Sequence, residues 1–507
     1  MRVTNSMISR NSMININSNK VNVDILNTQM TTQKKISRPS EDPVIAIRAL
    51  RLRSNLSELD QYYERNIPDA RSWIEVTESA LKNMQTILDD VYSQCVNGAT
   101  DTLTQENRAS ILKNLQSLRE QVYNEGNADC AGRHVFTGYK TNKQLTFGED
   151  EKDTSYTITE KISYEDIEEK RYYSNTVTLP NSPAEVGNGV AVGDMPQEHI
   201  HKRIRLSYEQ TESLDAENLK YYDETSGRWE NLSDMEIGIG TVNVRTNLSY
   251  DEWAESGFSV GANQAIYFKE TGELVLGSNV ANQLGSQKTQ LAITYDKTGF
   301  KEGELRPEHY FDCTDTTDPE NEIEYTKENQ EIQFTISFKQ SLTVNTQASD
   351  VMDASIGRDI DELATTVQAA IAAHDKVAKL EEMKKEAQYS DPQSQAALDQ
   401  WLEAAKKEAV YADDNMQKVY SRGVGKFQEY KDNVTLARTD LGSRENRLLL
   451  TENRMSNQQA TFEQLKSRNE DMELSDIIIQ YTAAYNAYQA SLQASSKANG
   501  QTLLNYL

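Results

Sequence analysis

The chain has 507 residues, of which 79 are Asp or Glu and 53 are Lys or Arg, so its formal net charge is −26. No apolar run approaches the roughly 18–20 residues of a membrane span, and strong acidity disfavours binding to a nucleic-acid backbone. Residues 145–350 carry a net charge of −22, whereas residues 1–144 carry +2 and residues 351–507 carry −6. This distribution indicates near-neutral ends that pack against protein and a charged centre that faces water.

The first predicted helix, over residues 12–33, has two apolar faces. One face carries Ile14, Val21 and Ile25, and the roughly opposite face carries Ile16, Val23, Leu26 and Met30. The surface helix of a globular protein usually has one apolar stripe. A helix with two stripes needs partners on both sides, which one chain does not readily supply.

A break follows at residues 37–43, and its sequence predicts a cap and a turn. We expect Ser40 or Asp42 to cap the next helix and Pro43 to lie in its first turn. A contact with another subunit is a secondary interpretation of the motif Arg38, Pro39, Ser40, Glu41, Asp42 and Pro43.

The next segment, residues 44–95, predicts a helix whose seam is internal core. Apolar residues alternate at spacings of three and four from Ile67 to Cys95, as in a coiled coil. Pro68 should kink or interrupt this helix. A second helix, over residues 104–124, should return antiparallel to it. That arrangement would place Cys95 far from Cys130, so the thiols are predicted to be unpaired.

Residues 145–350 predict a β-rich domain. Period-two patterns indicate strands at residues 154–158, 237–244 and 274–276, and a longer one carries Ile332, Phe334, Ile336, Phe338, Leu342 and Val344 in one phase. His199 and His201, next to Lys202 and Arg203, are interpreted as an exposed pair rather than a metal site. The acids of residues 165–169 are interpreted as a solvated surface rather than a calcium loop.

Helix is predicted again from residue 359 to the end. Asp391-Pro392 should divide two short helices, and a long helix should begin near Asp414 with apolar residues at seven-residue spacing. The last helix also has two faces: a broad one with Leu474, Ile477, Ile478, Tyr481, Tyr485, Tyr488 and Leu492, and an opposite one with Ala483, Ala487, Ala490 and Ala494.

No recognised catalytic or nucleotide-binding motif occurs in a usable context, so we predict no enzyme activity, cofactor or metal. The first residues lack the apolar core of a secretory signal peptide. A cytoplasmic location would follow, unless another export machine reads a different signal.

Four motifs stand out at the two ends of the chain. They are Met-Arg-Val-Thr-Asn-Ser-Met at residues 1–7, Ile-Ser-Arg-Pro-Ser-Glu-Asp-Pro at 36–43, Gly-Arg-His-Val-Phe-Thr-Gly-Tyr-Lys-Thr at 132–141, and Leu-Leu-Asn-Tyr-Leu at 503–507. These motifs resemble the bacterial flagellar hook-associated protein 3 family, hook–filament junction proteins of the flagellin superfamily. The resemblance covers residues 1–147 and 420–507, and segment 359–415 looks like an addition to the pattern.

The patterns and the resemblance together predict an α+β multidomain fold, in which both chain ends form a long antiparallel helical bundle and a β-rich domain is inserted between them. Residues 1–40 and 470–507 would form a terminal inner-tube domain. Residues 41–144 and 359–469 would form the helical bundle, and residues 145–358 the outer domain.

The resemblance implies export by the flagellar type III apparatus and assembly outside the cell between hook and filament. Its implied partners are further copies of the chain in a ring or helical lattice, hook-associated protein 1, flagellin and an export chaperone. No nucleic acid or membrane span is implied. We expect the terminal helices to be poorly ordered until they bind neighbours.

The predicted assembly interface combines the two-faced terminal helices. Its residues are Ile14, Val21, Val23, Ile25, Met30, Leu474, Ile478, Tyr481, Ala483, Tyr485, Ala487, Tyr488, Ala490, Leu492, Leu503, Leu504 and Leu507. The nearest alternative is a flagellin-like filament subunit. A third hypothesis makes the central domain a binding or hydrolytic module grafted onto this scaffold.

Overall fold

The structure is a computed structural model, which describes residues 4–100, 104–187, 189–190, 194–238 and 240–499. The chain forms two compact units, each described here by itself. The helical unit contains residues 4–71, Phe334–Leu342 and 445–499, and the central unit contains the described residues of Ser72–Gln333 and Thr343–Arg444.

Eleven α-helices lie in the described residues. Their bounds are α1 Asn5–Thr32, α2 Pro43–Gln61, α3 Ile67–Gly98, α4 Gln105–Gly126, α5 Pro183–Val186, α6 Tyr250–Glu255, α7 Ser278–Gln287, α8 Ala348–Val351, α9 Ile356–Met383, α10 Pro392–Glu470 and α11 Leu474–Asn499. The predicted fold class, with helices at both ends and a β-rich centre, is confirmed.

The strands of the described residues lie between α4 and α8. Their bounds are β1 Asp129–Cys130, β2 Arg133–His134, β3 Glu151–Ile162, β4 Glu168–Ser174, β5 Gln197–Arg205, β6 Leu219–Asp223, β7 Arg228–Asn231, β8 Glu236–Ile237, β9 Gly240–Thr241, β10 Asn243–Arg245, β11 Gln264–Phe268, β12 Glu273–Leu276, β13 Leu291–Phe300, β14 Asp312–Asp315, β15 Ile323–Tyr325, β16 Gln333–Ser337 and β17 Gln340–Thr343.

The central unit is built on two sheets that share one hydrophobic core. One sheet has the order β10-β11-β12-β5-β4, and the other has the order β15-β14-β3-β13-β6-β7. Alternate residues of β5 and β12, such as Ile204 and Leu274, join the same core as Ile158 of β3 and Ile293 of β13. The strands predicted at residues 154–158 and 274–276 are therefore confirmed, within β3 and β12.

Two strand predictions were wrong because the chain reverses inside the pattern. The segment 237–244 forms the β8–β9 pair and the start of β10, with Gly238 at a positive φ in the turn. The supposed single strand at 332–344 is the hairpin of β16 and β17, with Lys339 at φ 53°. Phe338 lies in that turn and is exposed, whereas Ile336 and Leu342 are buried.

The helix seams are buried, as predicted. Every seam residue of α3 from Ile67 to Cys95 that follows the three–four spacing is buried. In the central unit, Lys431 of α10 contacts Asp89 of α3 at 2.6 Å. All three cysteines are unpaired, and burial raises the pKa of the Cys95 and Cys313 thiols to about 12.

The predicted disturbance at Pro68 takes the form of a π-helical turn. The backbone is π-helical at Tyr62–Asn66, between α2 and α3, so Pro68 is the second residue of α3. A proline nitrogen has no hydrogen to donate, and a π-helical turn is one way in which a continuous helix accommodates such an interruption of its hydrogen bonds.

The long helix begins earlier than predicted. Asp391 accepts a hydrogen bond from the backbone nitrogen of Ser394 at 2.8 Å, and Pro392 is the first helical residue. From there α10 runs for 79 residues without a break, so no new helix starts near Asp414. The segment 359–415 thus forms α9 and the start of α10, which pack together with Val177 and Val186 of the central unit.

Two expectations about charged residues in the central unit were wrong in part. His199 and His201 are half-buried, and the Nε2 atom of His201 lies 2.7 Å from the carbonyl oxygen of Phe258. Of the acids predicted to form a solvated surface, Glu165, Asp166 and Glu169 are exposed as expected, whereas Glu168 forms a buried ion pair with Arg203 at 2.9 Å. Within the described ranges no three His, Cys, Asp or Glu side chains group as metal ligands would.

Candidate assembly surface

The two terminal helices pack against each other in the helical unit. α1 ends at Thr32, α11 begins at Leu474, and the backbone after α1 pairs with the backbone before α11. Lys34 and Asp471 form an antiparallel β-bridge, and the backbone nitrogen of Met472 donates a hydrogen bond to the carbonyl oxygen of Gln33 at 3.0 Å. Since the C-terminus of α1 meets the N-terminus of α11, the pair is antiparallel.

One face of each helix forms the contact. On α1 the half-buried apolar residues are Ile16, Val23, Leu26 and Met30, and on α11 Ile477 is buried while Tyr481, Ala484 and Tyr488 are half-buried. The second face of α1 predicted from the sequence is thus the one that α11 covers. Of the predicted interface, Val23, Met30, Tyr481 and Tyr488 are brought together here.

The other faces remain exposed. On α1 the predicted residues Ile14, Val21 and Ile25 are exposed, and between 41% and 58% of each side chain reaches solvent. On α11 the exposed predicted residues are Leu474, Ile478, Ala483, Tyr485, Ala487, Ala490 and Leu492. Leu503, Leu504 and Leu507 lie outside the described residues. The single broad face predicted on α11 is therefore divided between a packed side and an exposed side.

The rings of Tyr481 and Tyr485 couple the packed side to the exposed side. Their centroids are 6.0 Å apart and nearly parallel, at 14°. Tyr481 is half-buried and Tyr485 is exposed, and the Tyr485 hydroxyl accepts a hydrogen bond from Gln489 at 3.0 Å. This stack therefore lies across the boundary between the packed and the exposed side of α11.

The motif of residues 38–43 forms the predicted cap and turn. The carboxylate of Asp42 accepts hydrogen bonds from the backbone nitrogens of Val44 at 2.9 Å and Ile45 at 3.1 Å, and Pro43 is the first residue of α2. Glu41 accepts from the nitrogen of Ser37 at 2.7 Å. Arg38, Pro39 and Ser40 are exposed, so a contact with another subunit stays a prediction.

Ion pairs join α2 and the segment that follows α1 to the end of α10 and the residue after it, and the sequence patterns did not predict them. These ion pairs are called the ionic joint. Glu470, the last residue of α10, accepts hydrogen bonds from Arg53 of α2, and Lys34 lies 3.5 Å from the same carboxylate and also pairs with Asp471. Hydrophobic periodicity carries no signal for such a joint. The only hint of these ion pairs in the sequence is that charged residues cluster where the helical patterns of α1 and α10 stop.

None of the helices in the described ranges combines the length and the apolar composition of a membrane span. The ends of the chain match two family models. Residues 3–141 match the bacterial flagellin N-terminal helical region, and residues 424–507 match the bacterial flagellin C-terminal helical region. Both ends of the chain are therefore similar to the terminal helical regions of bacterial flagellin.

Two curated relatives confirm the resemblance drawn from the terminal motifs. The flagellar hook-associated protein 3 of Salmonella typhimurium is 28% identical over 39% of this chain and 60% of the relative. The protein of the same name from Escherichia coli is 31% identical over 28% of this chain and 44% of the relative. The chain therefore spans about half the length of the curated relatives that it matches.

Among solved structures, the flagellar junction protein FlgL from Legionella pneumophila is similar to this chain. It is 12% identical, and the alignment covers 83% of this chain and 100% of that protein, with a TM-score of 0.29. At such a score the similarity carries no argument about the fold.

Proposed function

We propose that this chain is a structural subunit of the bacterial flagellum that joins the hook to the filament and has no enzyme activity. The observation that carries the proposal is that α1 and α11 still expose apolar faces after they have packed against each other. Exposed apolar stripes of this extent are typical of surfaces that bind other protein. The names of the curated relatives supply the association with the hook, and the resemblance of the terminal motifs supplies the junction with the filament.

The proposal includes self-association through the exposed faces of α1 and α11, in a ring or a helical lattice. It also includes export by the flagellar type III apparatus, a location outside the cell, and contacts with hook-associated protein 1, flagellin and an export chaperone. The family resemblance of the chain ends supports these points. The acidic central unit would face water, where its net charge discourages lateral association.

A substitution on the exposed face of α1 tests the assembly surface. Changing Val21 and Ile25 to Glu places two charges on the stripe, so the purified chain should stay monomeric under conditions in which the wild type associates. Asn15→Glu with Asn22→Glu adds the same charge at exposed polar positions of the same helix. Sedimentation should show that the substitutions at Val21 and Ile25 prevent association, whereas those at Asn15 and Asn22 do not. Equal association of both variants would contradict a role for this face.

The second candidate is a filament subunit, which is favoured by the fact that the matching family models are those of flagellin. Deleting the gene separates the two functions. If this chain is a junction protein, cells without it should release flagellin monomers into the medium and form no filaments. Cells that simply lack flagellin would instead identify this chain as the filament subunit.

A further inference from the structure

The start of α2 carries an exposed apolar stripe outside the surface described above. Val44, Ile47 and Leu50 follow one another at spacings of three, and more than half of each side chain is exposed. Arg48 and Arg51 are exposed on the same turns, and neither has an ion-pair partner among the residues that the structure describes. This stripe, the basic stripe, is about 9 Å long at 1.5 Å per residue.

The start of α11 carries an exposed apolar stripe with the opposite charge. Leu474, Ile478 and Ile479 are between 45% and 67% exposed. Glu473 and Asp476 are exposed beside them, and the described part of the chain offers neither an ion-pair partner. This stripe, the acidic stripe, is about 8 Å long.

We propose that the basic stripe of one copy of this chain binds the acidic stripe of a second copy. This inference rests on the proposed function, because it specifies one contact of the proposed assembly. The two stripes match in length and apolar character and are opposite in charge. Both stripes remain exposed within one chain, so neither stripe covers the other there. The acidic stripe also shares Leu474 and Ile478 with the proposed assembly surface of α11.

The charges of the two stripes determine which stripe of one copy can face which stripe of the other. Two basic stripes facing each other would bring Arg48 and Arg51 close to the same residues of the other copy, and two acidic stripes would repel likewise. Like charges that face each other across an interface cost several kcal/mol. The favoured contact therefore joins different patches of the two copies. Where only one such pair of stripes forms between two copies, the contact is head-to-tail and builds a ring or an open helix.

Charge reversal on the full-length chain tests the contact. Arg48→Glu with Arg51→Glu makes both stripes acidic, and Glu473→Lys with Asp476→Lys makes both basic. Each variant alone should need about tenfold or more protein for half-maximal association in sedimentation velocity. An equimolar mixture of the two should associate again, because each acidic stripe then finds a basic one. The chain with all four substitutions should also associate by itself.

Lys113→Glu with Arg228→Glu is the matched control, since both residues are exposed in the central unit and the change in net charge equals that of the Arg48/Arg51 variant. This control should associate like the wild type, and circular dichroism should show that every variant is folded. If the wild type associates and both reversals leave it unchanged, the contact is wrong and the proposed function stands. If reversal weakens association but mixing does not restore it, the pairing of these two stripes is wrong. A wild type that stays monomeric at every concentration contradicts both proposals.

Discussion

The guanidinium of Arg53 donates two parallel hydrogen bonds to the carboxylate of Glu470, from Nε to Oε1 at 2.8 Å and from Nη2 to Oε2 at 2.7 Å. The backbone oxygen of Glu470 accepts a further hydrogen bond from the nitrogen of Lys35 at 2.7 Å. The hydrogen bond from Arg53, more than any other interaction, lowers the pKa of Glu470 below its usual value. One nearly buried residue thus joins α2, α10 and the segment that follows α1.

Replacing Glu470 with Ala should loosen this joint. The change removes the charged acceptor of Arg53 and Lys34, and hydrogen bonds to charged groups are worth about 1.5–3 kcal/mol. Amide exchange at Lys35 and Met472, whose nitrogens donate across the two breaks, should accelerate. Asp471→Asn is the control, because it removes only the more exposed pair with Lys34, which is worth about 1 kcal/mol or less. Unchanged exchange in Glu470→Ala would show that the backbone pairing alone holds the joint.

Replacing Asp42 with Ala should destabilise the start of α2. The carboxylate caps two backbone nitrogens, and loss of such a cap costs about 1 kcal/mol. The amides of Val44 and Ile45 should exchange faster. Ser40→Ala is the matched control: it removes a polar side chain from the same turn and should leave both amides unchanged. If Ser40→Ala has the larger effect, the cap has been assigned to the wrong residue.

The central unit should lose stability as the pH rises from about 4.5 through about 7. Burial raises the pKa of Glu160 to about 7, although hydrogen bonds from Tyr295 and Ser207 oppose this shift. The folded state therefore favours the protonated acid. Its contribution is fully present below the unfolded pKa of about 4.5 and is lost as the pH rises through 7, on the order of 3 kcal/mol.

Thermal unfolding of the wild type and of Glu160→Gln between pH 4.5 and 8 checks this prediction. The amide of Gln stays neutral, so the variant should lack this part of the pH dependence while other titrating groups are unaffected. Parallel curves for the two proteins would contradict the assignment to Glu160.

Replacing Arg203 with Met should strongly destabilise the central unit. The buried guanidinium of Arg203 donates to Glu168 at 2.9 Å, Glu362 at 2.6 Å and Glu273 at 2.5 Å, so its removal leaves buried carboxylates without their main cation. Breaking a buried ion pair from one side costs about 3–5 kcal/mol. The denaturation midpoint in urea should fall accordingly. Lys161→Met, which loses only a surface pair with Asp312, should shift it little.

Periodicity predicted well wherever one helix buries one seam. The seam from Ile67 to Cys95 and the two faces of α1 could be read from the residues, and the cap could be narrowed to Ser40 or Asp42, because helical spacing and capping are local properties. Periodicity failed at Phe338 and at Asp414. A period of two does not distinguish one strand from a hairpin whose turn keeps the same phase, and a helix without a breaker shows no boundary where its composition changes.

The sequence by itself determined that the ends are helical with two apolar faces, that the centre is β-rich and acidic, and that the terminal motifs resemble those of the flagellin superfamily. Only the tertiary structure decided which faces remain free. Val23 and Val21 look alike in the sequence, yet α11 covers the first and leaves the second exposed. Likewise, the partners of Arg53 and Arg203 lie far along the chain, and their pairing depends on how helices and sheets pack rather than on any local spacing.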